Sequence, residues 1–263
     1  MNAAVAPWKV LLARPASSDH IVQVYQDPGF LAEAVSQFIG SGLRRGEGAL
    51  VIARPAHWEF FARQLRADGC DVSGALSVGQ LAYLDAHTLL SKLMRNGIPD
   101  EKLFRETVGG AVEDMRRRFG GLRAFEEVVD LLWQDGSREA AILLEELWDD
   151  LAKVQPFSLL CAYFMDLLDD GSYGGPIESV CQVHSHLIPA RRYDRFDEAV
   201  IQASQDVLDR SLANMLHSMA SAHRPSTDMP LGQATIMWLK KNMPLTADKV
   251  LSRTRAYYAK SES

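Results

Sequence analysis

The sequence is poor in the features that mark secreted, zinc-finger and membrane proteins. Its three cysteines, Cys70, Cys161 and Cys181, are odd in number, widely spaced and outside any CxxC arrangement. That argues against a disulfide framework and against a cysteine-based zinc site, and leaves them as small buried residues. Apolar runs are interrupted by charge well before the ~18 residues a membrane helix requires. The N-terminus also lacks the basic, apolar, small-residue order of a signal peptide. The expected location is the cytoplasm, without membrane association. No Gly-x-Ser-x-Gly elbow, HExxH, Gly-x-Gly-x-x-Gly or cysteine–histidine signature occurs, so nothing positive supports an enzyme and no cofactor is expected.

What is present suits an ordinary globular protein: 263 residues, 47% hydrophobic and 24% charged. There is ample apolar material for a core. The net charge of −6 is unevenly spread, with 17 Lys+Arg against 26 Asp+Glu in residues 1–189 and 11 against 8 in residues 190–263. A basic tail on an acidic body points weakly to a polyanionic or acidic partner, and a solvated helical surface explains it equally well.

Residues 1–17 read as a lead-in, in which Trp8 to Leu12 could pair as a short edge strand. His20–Tyr25 is β-branched and aromatic and ends at a Gln26-Asp27-Pro28-Gly29 turn, which predicts a strand. Leu31, Ala34, Val35, Phe38 and Ile39 then recur at helical spacing up to Leu43. Gly48–Ala53 is an apolar run suited to a strand buried on both faces, followed by a helix over about 57–68. Further strands are expected near 81–84, 122–125 and 158–164, with helices over 86–94 and 100–119 and a long amphipathic segment over 128–154. This alternation implies βαβ units and a mainly parallel sheet flanked by helices. The polar, glycine-rich stretch 166–176 suits an exposed loop above the strand ends, and 177–184 returns to helical spacing. A boundary is expected near 190. Beyond it a long amphipathic helix over 196–219 and two short helices, 231–242 and 246–258, form an all-helical extension, with Thr246 expected as an N-cap.

The first strand, turn and helix occupy the place where a phosphate-binding loop would sit, yet GxxxxGK[ST] is missing. No lysine or hydroxyl follows the turn, Asp27 repels phosphate, and Pro28 removes a backbone donor.

Several motifs agree in order with one family: His20-x4-Tyr25, Phe38-x3-Gly42-Leu43-x2-Gly46-Glu47, Leu50-Val-Ile-Ala, Arg123-x-Phe125-x-Glu127-x2-Asp130-Leu-Leu-Trp133, Leu144-Glu145-x2-Trp148, Ser158-Leu-Leu-Cys-Ala-Tyr163 and His184-Ser-His186. Over about residues 18–189 the chain resembles the MEDS domain, the methanogen/methylotroph DcmR-type sensory domain. It departs from that pattern at Glu126, where glycine commonly precedes the glutamate. The resemblance implies a RecA/KaiC-like α/β fold without Walker motifs, used as an input module in bacterial and archaeal regulators and sensor kinases, with small organic molecules proposed as ligands.

In such a fold the C-terminal ends of the strands converge on one crevice, which would gather Tyr25, Arg54, Arg123, Glu126, Glu127 and Tyr163 as candidate ligand-binding residues. Arg54 or Arg123 would pair with an anionic group and the tyrosines would supply an apolar face, although core packing and structural ion pairs account for the same residues. His184 and His186 form an HxH pair, a weak metal candidate on an extended segment. His20 reads as a structural imidazole. The acidic series Glu126, Glu127, Asp130 and Glu145, Glu146, Asp149, Asp150 has the spacing of solvated helix faces. Lys240, Lys241, Lys249, Arg253 and Arg255 are weak nucleic-acid candidates.

The function these observations favour is a non-enzymatic sensory regulator that binds a small molecule or a signalling protein and transmits through its C-terminal helices, with homodimerisation possible through 196–219. A DNA-binding transcriptional regulator using the basic helices is the alternative. A residual nucleotide-binding protein is the second.

Overall fold

The computed structural model describes residues 6–173 and 177–260. The first five residues of the lead-in and the last three of the predicted 166–176 loop therefore lie outside the described residues.

In chain order the elements are α1 (Pro7–Ala13), β1 (His20–Tyr25), α2 (Pro28–Leu43), β2 (Gly48–Ala53), α3 (Pro55–Ala67), α4 (Val72–Ser77), β3 (Leu81–Asp85) and α5 (Ala86–Leu93). Two two-residue strands follow, β4 (Met94–Arg95) and β5 (Ile98–Pro99), then α6 (Glu101–Phe104), a π-helical stretch (Arg105–Gly109) and α7 (Gly110–Arg118). The chain continues through β6 (Leu122–Glu126), α8 (Val128–Gln134), α9 (Arg138–Val154), β7 (Ser158–Phe164), a 3₁₀ turn (Asp170–Tyr173), α10 (Ile177–Val183) and β8 (His186–Ile188). It ends in four helices: α11 (Tyr193–Leu208), α12 (Arg210–Ala222), α13 (Leu231–Asn242) and α14 (Pro244–Lys260).

The main sheet is six-stranded and parallel, in the order β3-β2-β6-β7-β1-β8. Its centre is built from continuous apolar runs: β2 is buried along its whole length, and its Val51 stands opposite Phe125 of β6 and Tyr83 of β3. Such runs suit strands covered on both faces, as crossover helices in a parallel sheet require. α2 supplies Leu31, Val35, Phe38 and Ile39 to the core, all fully buried. Trp148 of α9 meets Phe104 edge-to-face at 5.1 Å.

The α/β class, the parallel sheet and the helical C-terminal region agree with expectation, and several local readings do not. Trp8 to Leu12 is helical rather than a strand, because Pro7 starts α1 with a preset φ and no N–H to satisfy. The segment over 128–154 is two helices parted at Gly136, whose φ of +80° ends α8. The helix over 196–219 breaks at Asp209 (φ +66°), whose carboxylate caps α12 by accepting from the Ser211 and Leu212 amides. Thr246 lies inside α14, which begins at Pro244.

The chain divides into two compact units. One holds residues up to Gln23, Asp27–Phe164 and Val183–His186, and the other Val24–Gln26, Met165–Gln182 and the chain from Leu187. The second unit is organised by α11 to α14 around buried Phe196, Val200, Leu216, Ile236, Leu239 and Val250. Among the described residues no helix is long and apolar enough to cross a membrane.

Candidate functional site

At the N-terminus of α2 the chain satisfies its own donors. Asp27 is the N-cap, its carboxylate accepting from the Gly29 amide at 2.8 Å, and Pro28 occupies the first turn without an N–H. A phosphate-binding turn needs open amides at this point.

At the C-terminal ends of β2 and β6 lies an ion-pair cluster. Arg54, directly after β2, donates from its backbone N–H to Glu127 Oε1 at 2.5 Å, from Nη1 to Glu127 Oε2 at 3.0 Å and from Nη2 to Asp130 Oδ2 at 2.5 Å. His57 Nδ1 lies 2.6 Å from Glu127 Oε2. Asp130 Oδ1 accepts from the Phe164 amide at 2.9 Å, tying α8 to the end of β7. Glu127 and Asp130 are fully buried, so the expectation that they line a solvated helix face is overturned. Their proximity to the chain turn at Arg54 outweighs their helical spacing.

Deeper in the same unit is a second cluster. His20 opens β1, Cys161 sits mid-strand in β7, Glu145 projects from α9, and His184 follows α10. His20 Nε2 lies 3.2 Å from both Cys161 Sγ and Glu145 Oε2, and Cys161 Sγ is 3.6 Å from Glu145 Oε2. His184 Nε2 approaches Glu145 Oε1 to 3.5 Å, and the two imidazole centroids are 4.0 Å apart. Tyr163, two residues along β7, donates to Glu145 Oε1 at 2.7 Å. Glu126 of β6 is registered opposite Cys161 and caps α8 through the Val128 and Val129 amides.

The electrostatics of this interior are polarised. Burial pushes the Glu145 carboxyl up, but His184, His20 and the Tyr163 hydroxyl together outweigh it and bring the group down to about 2. Glu126 goes the other way: burial, then the Glu145 charge, hold it well above the usual carboxylate range. The Cys161 thiol and the Tyr163 phenol are also raised, first by burial and then by Glu145. Glu126 and Glu145 were expected on solvated faces and are 0% exposed, a second correction to the acidic series; only Glu146 and Asp150 lie fully on the surface, with Asp149 half-buried.

The other predicted residues are placed elsewhere. Arg123, 1% exposed, donates to Glu47 Oε2 (2.5 Å), the Leu12 carbonyl (2.8 Å), the Phe38 carbonyl (2.9 Å) and Ser41 Oγ (3.0 Å). Gly42 makes room for it, since a Cβ there would stand 2.7 Å from the guanidinium arm. Tyr25 is a buried side chain at the end of β1 and belongs to the second unit. His186 turns to Asp19 at 4.0 Å, while His184 faces Glu145, so the HxH pair does not converge. In the tail Lys240 pairs with Asp170 and with Asp248 (2.6 Å), Lys241 pairs with Glu178 (2.9 Å), and Arg255 donates to the Leu168 carbonyl (2.9 Å). Lys249 and Arg253 are exposed on α14. Sequence reasoning missed His57, Asp130, Glu145 and Cys161 as site members and read His20 only as a structural imidazole.

The first unit is thus part of a parallel α/β fold whose α2 N-terminus is capped by Asp27 and whose interior holds a histidine–carboxylate–thiol cluster. The family model for the MEthanogen/methylotroph, DcmR Sensory domain (MEDS) matches residues 19–185. The chain belongs to this sensory-domain family. No curated protein and no solved structure matches it.

Proposed function

We propose that the chain is a non-enzymatic, cytoplasmic signalling protein in which the MEDS domain takes in a small-molecule or protein signal and the C-terminal helices pass it on. The observation that carries this reading is the self-capped α2 N-terminus in a sensory-family domain. With the Gly29 amide given to Asp27 and no lysine in the turn, ATP has no phosphate cradle there. Output through helices is supported by α12, where Leu212, Met215 and Met219 are 47%, 57% and 38% exposed on one face, a surface suited to a second copy.

The test is a thermal-shift screen of the full chain against small organic compounds, run beside an ATPase assay with magnesium. Stabilisation by at least one compound and no ATP turnover is the expected result. Turnover that co-purifies with the folded chain and disappears with an α2 turn variant such as Pro28→Leu would overturn it.

A further inference from the structure

We propose that His20, Glu145, Cys161 and His184 form a binding site for a divalent transition-metal ion of the zinc type. One candidate ligand atom from each of the four lies within 4.8 Å of all the others, and all four residues are buried. Three of them, His20 Nε2, Glu145 Oε2 and Cys161 Sγ, make a triangle with edges of 3.2, 3.2 and 3.6 Å. A tetrahedral ion with zinc-like bond lengths of about 2.0–2.3 Å separates its ligands by about 3.3–3.6 Å, so this triangle has the size of one tetrahedral face. His184 is the fourth candidate: one of its ring nitrogens lies within 4.8 Å of a ligand atom from each of the other three, and its Nε2 is 3.5 Å from the second oxygen of the same carboxylate.

The donor set fits that ion chemically. Two neutral imidazoles, one carboxylate and one thiolate make a mixed nitrogen, oxygen and sulfur sphere of intermediate softness, unlike the all-oxygen sets that calcium and magnesium take. The charge also balances: a divalent cation with Glu145 and the Cys161 thiolate is neutral, which suits a site without water. No lysine or arginine reaches Glu145 among the described residues. Binding replaces the thiol hydrogen by a sulfur–metal bond and releases one proton to solvent. Tyr163 is a positioning residue, its hydroxyl fixing Glu145 from outside the sphere. The ligands come from β1, α9, β7 and the segment before β8, 164 positions apart at the extremes. An ion here would cross-link elements that only the fold brings together. The site stands whether the ion is a structural staple or part of the signal, so it does not depend on the sensory reading.

The experiment uses the full chain, stripped with a chelator and titrated with cobalt(II). Expected are one equivalent bound per chain, the visible bands of tetrahedral cobalt and a near-ultraviolet thiolate-to-cobalt band. Cys161→Ser loses that last band, while Cys181→Ser, a buried cysteine outside the cluster, keeps it. A folded chain that shows no thiolate band, or a band that survives Cys161→Ser, overturns the proposal. Should Cys161→Ser fail to fold, X-ray absorption of the zinc-loaded native chain decides: one sulfur among four ligands supports the site, and a sphere without sulfur rejects it. Neither result touches the compound screen, which is read separately.

Discussion

Tyr163 and Glu145 meet at 2.7 Å with both side chains out of solvent, the phenol donating to a carboxylate that two histidines also face. Beside them Glu126 is equally buried, yet its carboxyl is held up while that of Glu145 is held down to about 2. Two carboxyls pushed apart in this way differ in how firmly they hold a proton, Glu126 more and Glu145 less than an ordinary carboxyl. Glu145→Gln removes the ionised centre of the cluster and is expected to cost about 3 kcal/mol or more, and Tyr163→Phe about 1–3 kcal/mol. Glu126→Gln keeps a neutral group of the same shape and should change stability far less. Because the native state keeps the Glu126 proton above the ordinary 4.5, where the unfolded chain releases it, this group lowers stability as pH rises from there. Urea unfolding across pH should show Glu126→Gln flattening that slope; an equal loss from Glu126→Gln and Glu145→Gln would refute the division of roles.

Arg123 closes a different part of the first unit. Its guanidinium serves Glu47, Ser41 and the carbonyls of Leu12 and Phe38 at once, which fastens α1 and α2 to β6. Arg123→Met strips these acceptors of their donor inside the protein, with an expected loss of about 3–5 kcal/mol. Equilibrium denaturation measures it. A loss below about 1 kcal/mol would mean that water replaces the guanidinium.

His217 of α12 gives the second unit an acid sensitivity. Burial lowers its pKa from the ordinary 6.5, and its Nε2 has no hydrogen-bond partner. Above 6.5 neither state is protonated and the native packing is intact. As pH falls below 6.5 the unfolded chain takes a proton that the native chain resists, so stability declines until the lower native value is passed. His217→Leu should remove this decline between native and variant curves recorded from pH 7 to pH 5. Parallel curves would show that His217 titrates alike in both states.

The sheet was legible because parallel strands covered on both faces must be continuous apolar runs, as in Gly48–Ala53 and Ser158–Phe164. Breaks inside amphipathic stretches were not: apolar spacing continues through Gly136 and Asp209, and only the backbone shows both at positive φ. The buried cluster was hidden for two reasons. Glu145 sits in Glu145-Glu146 with Asp149-Asp150, a pattern that reads as a wet helix face, whereas of these four acidic residues Glu145 alone is buried, on the face of α9 that holds Leu144 and Trp148. His20 and Cys161 are 141 positions apart, and their meeting depends on β1 lying next to β7, an adjacency that no local motif encodes. Arg54 and Glu127 were expected together, as ligand-binding residues or as a structural ion pair, and they do meet; the unanticipated part is that Asp130 and His57 join them.

The Asp27 cap on Gly29 also bears on how this position could ever be reclaimed by a nucleotide. The carboxylate is an occupant fastened by the chain itself, two residues from the amide it engages. Such a tethered competitor acts at an effective concentration of about millimolar or above and cannot be diluted away. Introducing a lysine alone would leave that occupant in place; the aspartate has to go first.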